Sequence, residues 1–132
     1  MEDILRINPT RRYSDATVHN RTAYFVEVPA SGHADIRTQA REMFAAADAT
    51  LQKVGSNRSR LLSAMVYLSS MDDLAAFNDE WERWLPPNCA PSRACVRANL
   101  AVSGLRVEVA FIAAVLPAGM ERRNVDRRHN AV

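Results

Sequence analysis

The chain of 132 residues contains only four glycines, Gly32, Gly55, Gly104 and Gly119, each standing alone. A P-loop or a dinucleotide-binding turn needs glycines clustered within a few positions, so neither nucleotide motif can be written. Histidine is equally sparse. His19, His33 and His129 lie far apart in unrelated contexts, and each reads most simply as a surface or turn residue. Neither an H-E-x-x-H nor a G-x-S-x-G pattern occurs. The two cysteines, Cys89 and Cys95, form no C-x-x-C and have no histidine at zinc-ligand spacing. No metal site is expected from them, and the two thiols are expected to remain unpaired.

Long apolar runs are missing too, so nothing approaches the roughly 20 residues of a membrane-spanning helix. The start, Met1-Glu2-Asp3-Ile4, has neither the basic nor the apolar stretch of a secretory signal, which predicts a cytoplasmic protein. The net charge of +2 is local in origin. From Leu116 onward, Arg122, Arg123, Arg127 and Arg128 face only Glu121 and Asp126. Removing those four from 17 basic residues and those two from 15 acidic ones leaves 13 of each. A balanced body offers no field to steer phosphates, so nucleic acid is not expected as a partner. Residues 1–116 read as one domain and residues 117–132 as a basic, disordered tail.

What remains is strongly patterned. Residues 4–7, 17–19 and 22–28 read as short strands, with turn signals at Asn8-Pro9-Thr10 and Asn20-Arg21. Asp35 suits an N-cap, Ile36, Ala40, Met43, Phe44, Ala47, Leu51 and Val54 recur at helical spacing, and Gly55 suits a C′ stop. A strand is expected over 61–68. Ser69 or Ser70 can cap a second helix with the stripe Leu74, Phe77, Trp81 and Leu85, ended by Pro86-Pro87. Two strands, 92–98 and 106–115, complete the order βββ-α-β-α-β-β. That order predicts an α+β fold, a mixed sheet with both helices on one face, because each helix has one apolar stripe to bury. The last strand is apolar on both sides beyond its first residues, yet two helices cover only one face. The uncovered face predicts self-association.

Two charges stand out inside apolar strands. Arg93 follows Pro91 among small residues, where a guanidinium faces a cavity or an interface. Glu108 lies between Val107 and Val109, where a carboxylate is costly unless paired. Pattern alone leaves two readings open, a buried ion pair between them and a functional site. Cys95 shares a strand side with Arg93, so a nearby cation would lower its pKa; the plainer reading is a small packing residue. Trp81 reads as core, and Trp84 as core rim or subunit contact.

The segment Ala90-Pro91-Ser92-Arg93-Ala94-Cys95-Val96, followed by Val107-Glu108-Val109, resembles the signature of the reactive-intermediate deaminase (Rid, YjgF/RutC-like) family. Upstream, Gln39-Ala40-Arg41, Val54-Gly55-Ser56, Tyr67-Leu68 and the stretch from Met71 to Asn78 are similar to family landmarks in the same order. Arg12-Tyr13-Ser14-Asp15 and Val28-Pro29 resemble the YoaB-type branch. The resemblance implies a chorismate-mutase-like homotrimer with sites in clefts between subunits and with neither metal nor cofactor. It implies an enamine/imine deaminase that hydrolyses small 2-imino acids to 2-oxo acids and ammonia. The alternative is a non-catalytic protein that binds or senses small carboxylates such as 2-oxo acids. Under the resemblance Arg93 grips the substrate carboxylate, a charge-assisted contact of about 1.5–3 kcal/mol. Glu108 orients water and manages protons, while Tyr13, Asn78 and Cys95 line the site. Two stretches depart from the family pattern. Arg11-Arg12 stand where many members have Gly-Pro, and Val26-Glu27 stand where a glycine often lies close to the ligand.

Overall fold

The computed structural model describes residues 3–117, so the stretch read as a basic tail falls almost wholly outside the described residues. Strands β1 (Leu5–Ile7), β2 (Ala16–His19) and β3 (Thr22–Glu27) lead into helix α1 (Ile36–Lys53). Strand β4 (Leu61–Leu68), helix α2 (Leu74–Trp84), strand β5 (Ser92–Arg97) and strand β6 (Val107–Ala114) follow. The six strands form one sheet in the order β1-β2-β3-β6-β4-β5. All neighbours are antiparallel except β4 and β5. A parallel pair needs a long crossover, and α2 supplies it. The predicted α+β order is the observed one.

Local chemistry explains the boundaries. Asn20 and Arg21 both take positive φ, 50° and 58°, the handedness that a two-residue hairpin turn between β2 and β3 requires. Asp35 accepts the Thr38 N–H at 2.8 Å and caps α1. At the other end Gly55 adopts φ 76°, the Gly55 N–H reaches Gln52 O, and the Ser56 N–H reaches Leu51 O at 2.9 Å. That double closure satisfies the last carbonyls of the helix. The start of α2 differs from the sequence reading. Ser70 caps a short 3-10 turn, Met71–Asp73, by accepting the Asp72 N–H, and α2 begins only after it.

Both helices pack on one face of the sheet. The apolar stripe of α1 is buried as expected, from Ile36 to Leu51. Phe25 and Phe111 stack across β3 and β6 at 5.1 Å, and Trp84 bridges from Phe111 to Phe44, 4.5 Å from the latter. Trp84 therefore belongs to the core, not to the rim or a subunit contact; truncating such a residue to alanine costs about 3–5 kcal/mol. Leu85 is only half-buried. Both cysteines are free thiols. On the opposite face Tyr24, Val26, Leu62 and Val96 remain exposed, Val26 by 53%, with Ile112 and Met65 half-covered between them. The apolar second face of β6 is therefore uncovered, as its sequence implied. Among the described residues no helix is long and apolar enough to cross a membrane.

Candidate functional site: a split constellation

Strand alternation decides which side chains can meet, since directly paired residues of neighbouring strands point to the same face. Arg93 pairs with Ala64, which pairs with Phe111, so Arg93 lies on the helix-covered face. Glu108 pairs with Tyr67, which pairs with Val96, so Glu108 lies on the open face. The two charges are separated by β4 and by the sheet itself. A direct ion pair between them within one chain is excluded.

Arg93 gathers a small cluster around it. It sits on β5, the edge strand, and its Nη2 donates to Asn78 Oδ1 of α2 at 2.8 Å. Its guanidinium lies over the Trp81 ring at 5.1 Å and the Phe77 ring at 6.0 Å, contacts worth about 0.5–1 kcal/mol each at an exposed site. Among the described residues no carboxylate pairs with it, so most of its N–H fork stays available. Cys95 points to the same side and is half-buried. Burial pushes its thiol up, and the Arg93 charge offsets that only in part, so Cys95 is not an activated thiolate.

A second group forms on the opposite face of the sheet. Glu108 is half-buried on the open face and, among the described residues, has no ion-pair partner. Val26 pairs with Ala110, two residues along β6, and so shares the face of Glu108. Beside them Ser14, Thr17, Tyr24, Val26, Ala110 and Ile112 help line a hollow of about 370 Å³. Tyr13, 66% exposed, belongs to the loop between β1 and β2, whose Ser14 lines this hollow. With that loop joining β1 and β2 and with β5 at the opposite edge, four to five strand spacings, about 19–24 Å, separate it from Arg93. Arg93, Asn78 and Cys95 thus come together in one chain, whereas Glu108 and Tyr13 do not join them.

Other polar groups hold the frame and were not singled out by pattern. Gln39 is fully buried in α1; its Nε2 donates to Gly104 O at 2.8 Å and its Oε1 accepts the Arg106 N–H at 2.7 Å. This pins the start of β6, two residues before Glu108. Glu80, 4% exposed, accepts N–H groups from Arg37, Arg41 and Arg83, tying α1 to α2. The Arg41 hydrogen bonds lead in pushing its carboxyl down to about 2. Glu27 lies on the helix side, where burial raises its pKa against the opposing Thr50 hydroxyl at 3.0 Å. Among the described residues no group of three His, Cys, Asp or Glu side chains is placed to hold a metal ion.

The chain is similar in sequence and fold to known proteins. The family model described as Endoribonuclease L-PSP matches residues 4–115. The RutC family protein YoaB of Escherichia coli is 39% identical over 112 residues, covering 85% of this chain and 98% of that protein. The chain belongs to the Rid (YjgF/RutC) family. A RutC family protein of Haemophilus ducreyi is 37% identical over 113 residues, 85% of this chain and 97% of its own. Among solved structures, NMB1025 of Neisseria meningitidis, described as a YjgF family member, superposes with a TM-score of 0.84 at 34% identity, covering 88% of this chain and 98% of that one. A putative translation initiation inhibitor from Salmonella typhimurium gives 0.79 at 38% identity, covering 85% and 97%. The Rid fold, two helices on a mixed six-stranded sheet, is thereby established for this chain.

Proposed function

We propose that this Rid family member hydrolyses small 2-imino acids, and their enamine tautomers, to 2-oxo acids and ammonia. The observation that carries the reading is Arg93, an exposed guanidinium braced by Asn78 and Trp81 with most of its donors unclaimed. Such a fork matches a carboxylate bidentately. Holding the substrate by this group leaves the neighbouring C2=N carbon open to water. Glu108 accepts a proton from the attacking water as oxygen bonds to C2. It returns that proton to nitrogen to give the carbinolamine, then carries the hydroxyl proton to nitrogen as the C2–N bond breaks, releasing ammonia and leaving the carbonyl. Cys95 serves as a contact without forming a covalent bond.

The site is completed by neighbouring copies. Two features support a closed homotrimer. The open apolar face of β3, β6, β4 and β5 calls for a cover. Arg93 and Tyr13 also sit at unlike edges of the sheet. A heterologous contact joins unlike surfaces and closes into a ring, so the Arg93 edge of one copy meets the open face of the next, with its Glu108 and the Tyr13 loop. The balanced charge of the body favours a small-molecule substrate over nucleic acid.

The deciding experiment is ammonia release from freshly generated 2-iminopropanoate and 2-iminobutanoate, above the spontaneous rate. Acceleration supports the deaminase. Binding of 2-oxo acids without acceleration would leave a carboxylate-binding protein in its place, a reading that Val26 on the open face near Glu108 favours, since its side chain narrows the space for water.

A further inference from the structure

The loop that carries Tyr13 holds two arginines that the reaction above does not use. It is a compact turn built on Thr10. The Thr10 N–H donates to Tyr13 O at 2.7 Å, while Thr10 Oγ1 accepts the N–H groups of Arg12 and Tyr13 at 3.2 and 3.1 Å. The Thr10 hydroxyl also donates to Tyr13 O at 2.9 Å. Wherever Tyr13 is placed, Arg11 and Arg12 arrive with it. Together with Thr10 and Tyr13 they line an open hollow.

These arginines differ from others in the fold. Arg37, Arg41, Arg58, Arg83 and Arg106 each hold an acid. Arg11 and Arg12 are exposed and, among the described residues, hold none. The acid of their own loop, Asp15, accepts instead from Asn8 Nδ2 at 3.0 Å. Two adjacent like charges without a counter-ion repel, and a bound anion relieves that repulsion.

Resting on the reading that Tyr13 of one copy meets Arg93 of the next, we propose that Arg11 and Arg12 form a second anion-holding position in the same cleft. The preferred substrates are then 2-imino acids with a second carboxylate at the end of the side chain. Arg93 takes the carboxylate beside the imine, and the arginine pair takes the distal one. Arg93 and the arginine pair approach from opposite walls, so a dianion spans the cleft while a monoanion leaves the pair unsatisfied.

The test compares two unreactive five-carbon acids, 2-oxoglutarate and 2-oxopentanoate, by calorimetric titration of the full chain. Wild type is expected to bind the dianion about tenfold more tightly, equivalent to about 1.4 kcal/mol. In the Arg11→Ala/Arg12→Ala double variant the preference falls to near unity, while Arg11→Lys/Arg12→Lys retains most of it. Melting temperature checks that each variant folds. Equal affinities in wild type, or a preference that survives the alanine pair, overturns the proposal and leaves the Arg93 reading standing. Failure of wild type to bind either acid removes that reading and this proposal with it.

Discussion

Arg93 and Asn78 are joined by a 2.8 Å hydrogen bond from guanidinium to side-chain carbonyl, between an edge strand and the helix packed beside it. Asn78 accepts one N–H and thereby sets the plane of the fork above the Trp81 ring. Replacing Asn78 by alanine frees the guanidinium to rotate without removing its charge. The expected outcome is a KM raised about tenfold for an imino acid, the scale of one lost charge-assisted hydrogen bond, with little change in melting temperature. Steady-state kinetics and a thermal melt check it; unchanged KM shows that Asn78 does not orient the fork.

The split geometry makes a prediction about mixed assemblies. If Arg93 and Glu108 act from neighbouring copies, an Arg93→Ala subunit and a Glu108→Gln subunit each spoil a different half of a site. Refolding the two inactive variants together should restore some intact sites and a measurable fraction of wild-type ammonia release. Activity no greater than that of the separate variants contradicts the split.

Glu80 links α1 to α2 through Arg37, Arg41 and Arg83. Its carboxyl is held at about 2 instead of 4.5, so its contribution is present above pH 4.5 and is lost as pH falls toward about 2. Glu80→Gln should lower the melting temperature at neutral pH, and the difference from wild type should vanish toward pH 2. A pH series of melts reads this directly. The arginines are substantially exposed, which screens the effect and keeps it modest.

Glu27 carries the opposite sign. Burial raises its pKa, so the folded state favours the neutral carboxyl, and stability drains as pH rises through the folded pKa. Glu27→Gln keeps an acceptor for the Thr50 hydroxyl and removes the charge. It should raise the melting temperature at pH 7.5 and leave it unchanged below pH 4. A variant less stable than wild type at pH 7.5 contradicts this account.

Periodicity carried the fold because each element has one dominant signal. The α1 stripe, the Asp35 cap and the Gly55 stop each act locally, and each appears where the spacing put it. Residues 92–98 also gave the right alternation, so the shared side of Arg93 and Cys95 was legible. Their position relative to Glu108 was not. It depends on β4 inserting between β5 and β6, a pairing between segments far apart in sequence. Trp81 under Arg93 and Glu80 among three arginines were missed for the same reason, since both arise where separate elements pack. Trp84, read as rim or contact, is core because Phe111 and Phe44 close around it from two other elements.

The central claim is that Arg93 waits for a carboxylate and does not neutralise a buried acid. Thermal melting and 2-oxobutanoate titration of Arg93→Ala test it together. Loss of contacts with Asn78 and Trp81 should cost about 1–2 kcal/mol, well below the roughly 3–5 kcal/mol expected from breaking a buried ion pair. Binding of 2-oxobutanoate should disappear. A well-folded Arg93→Ala protein that binds 2-oxobutanoate with wild-type affinity would contradict the account.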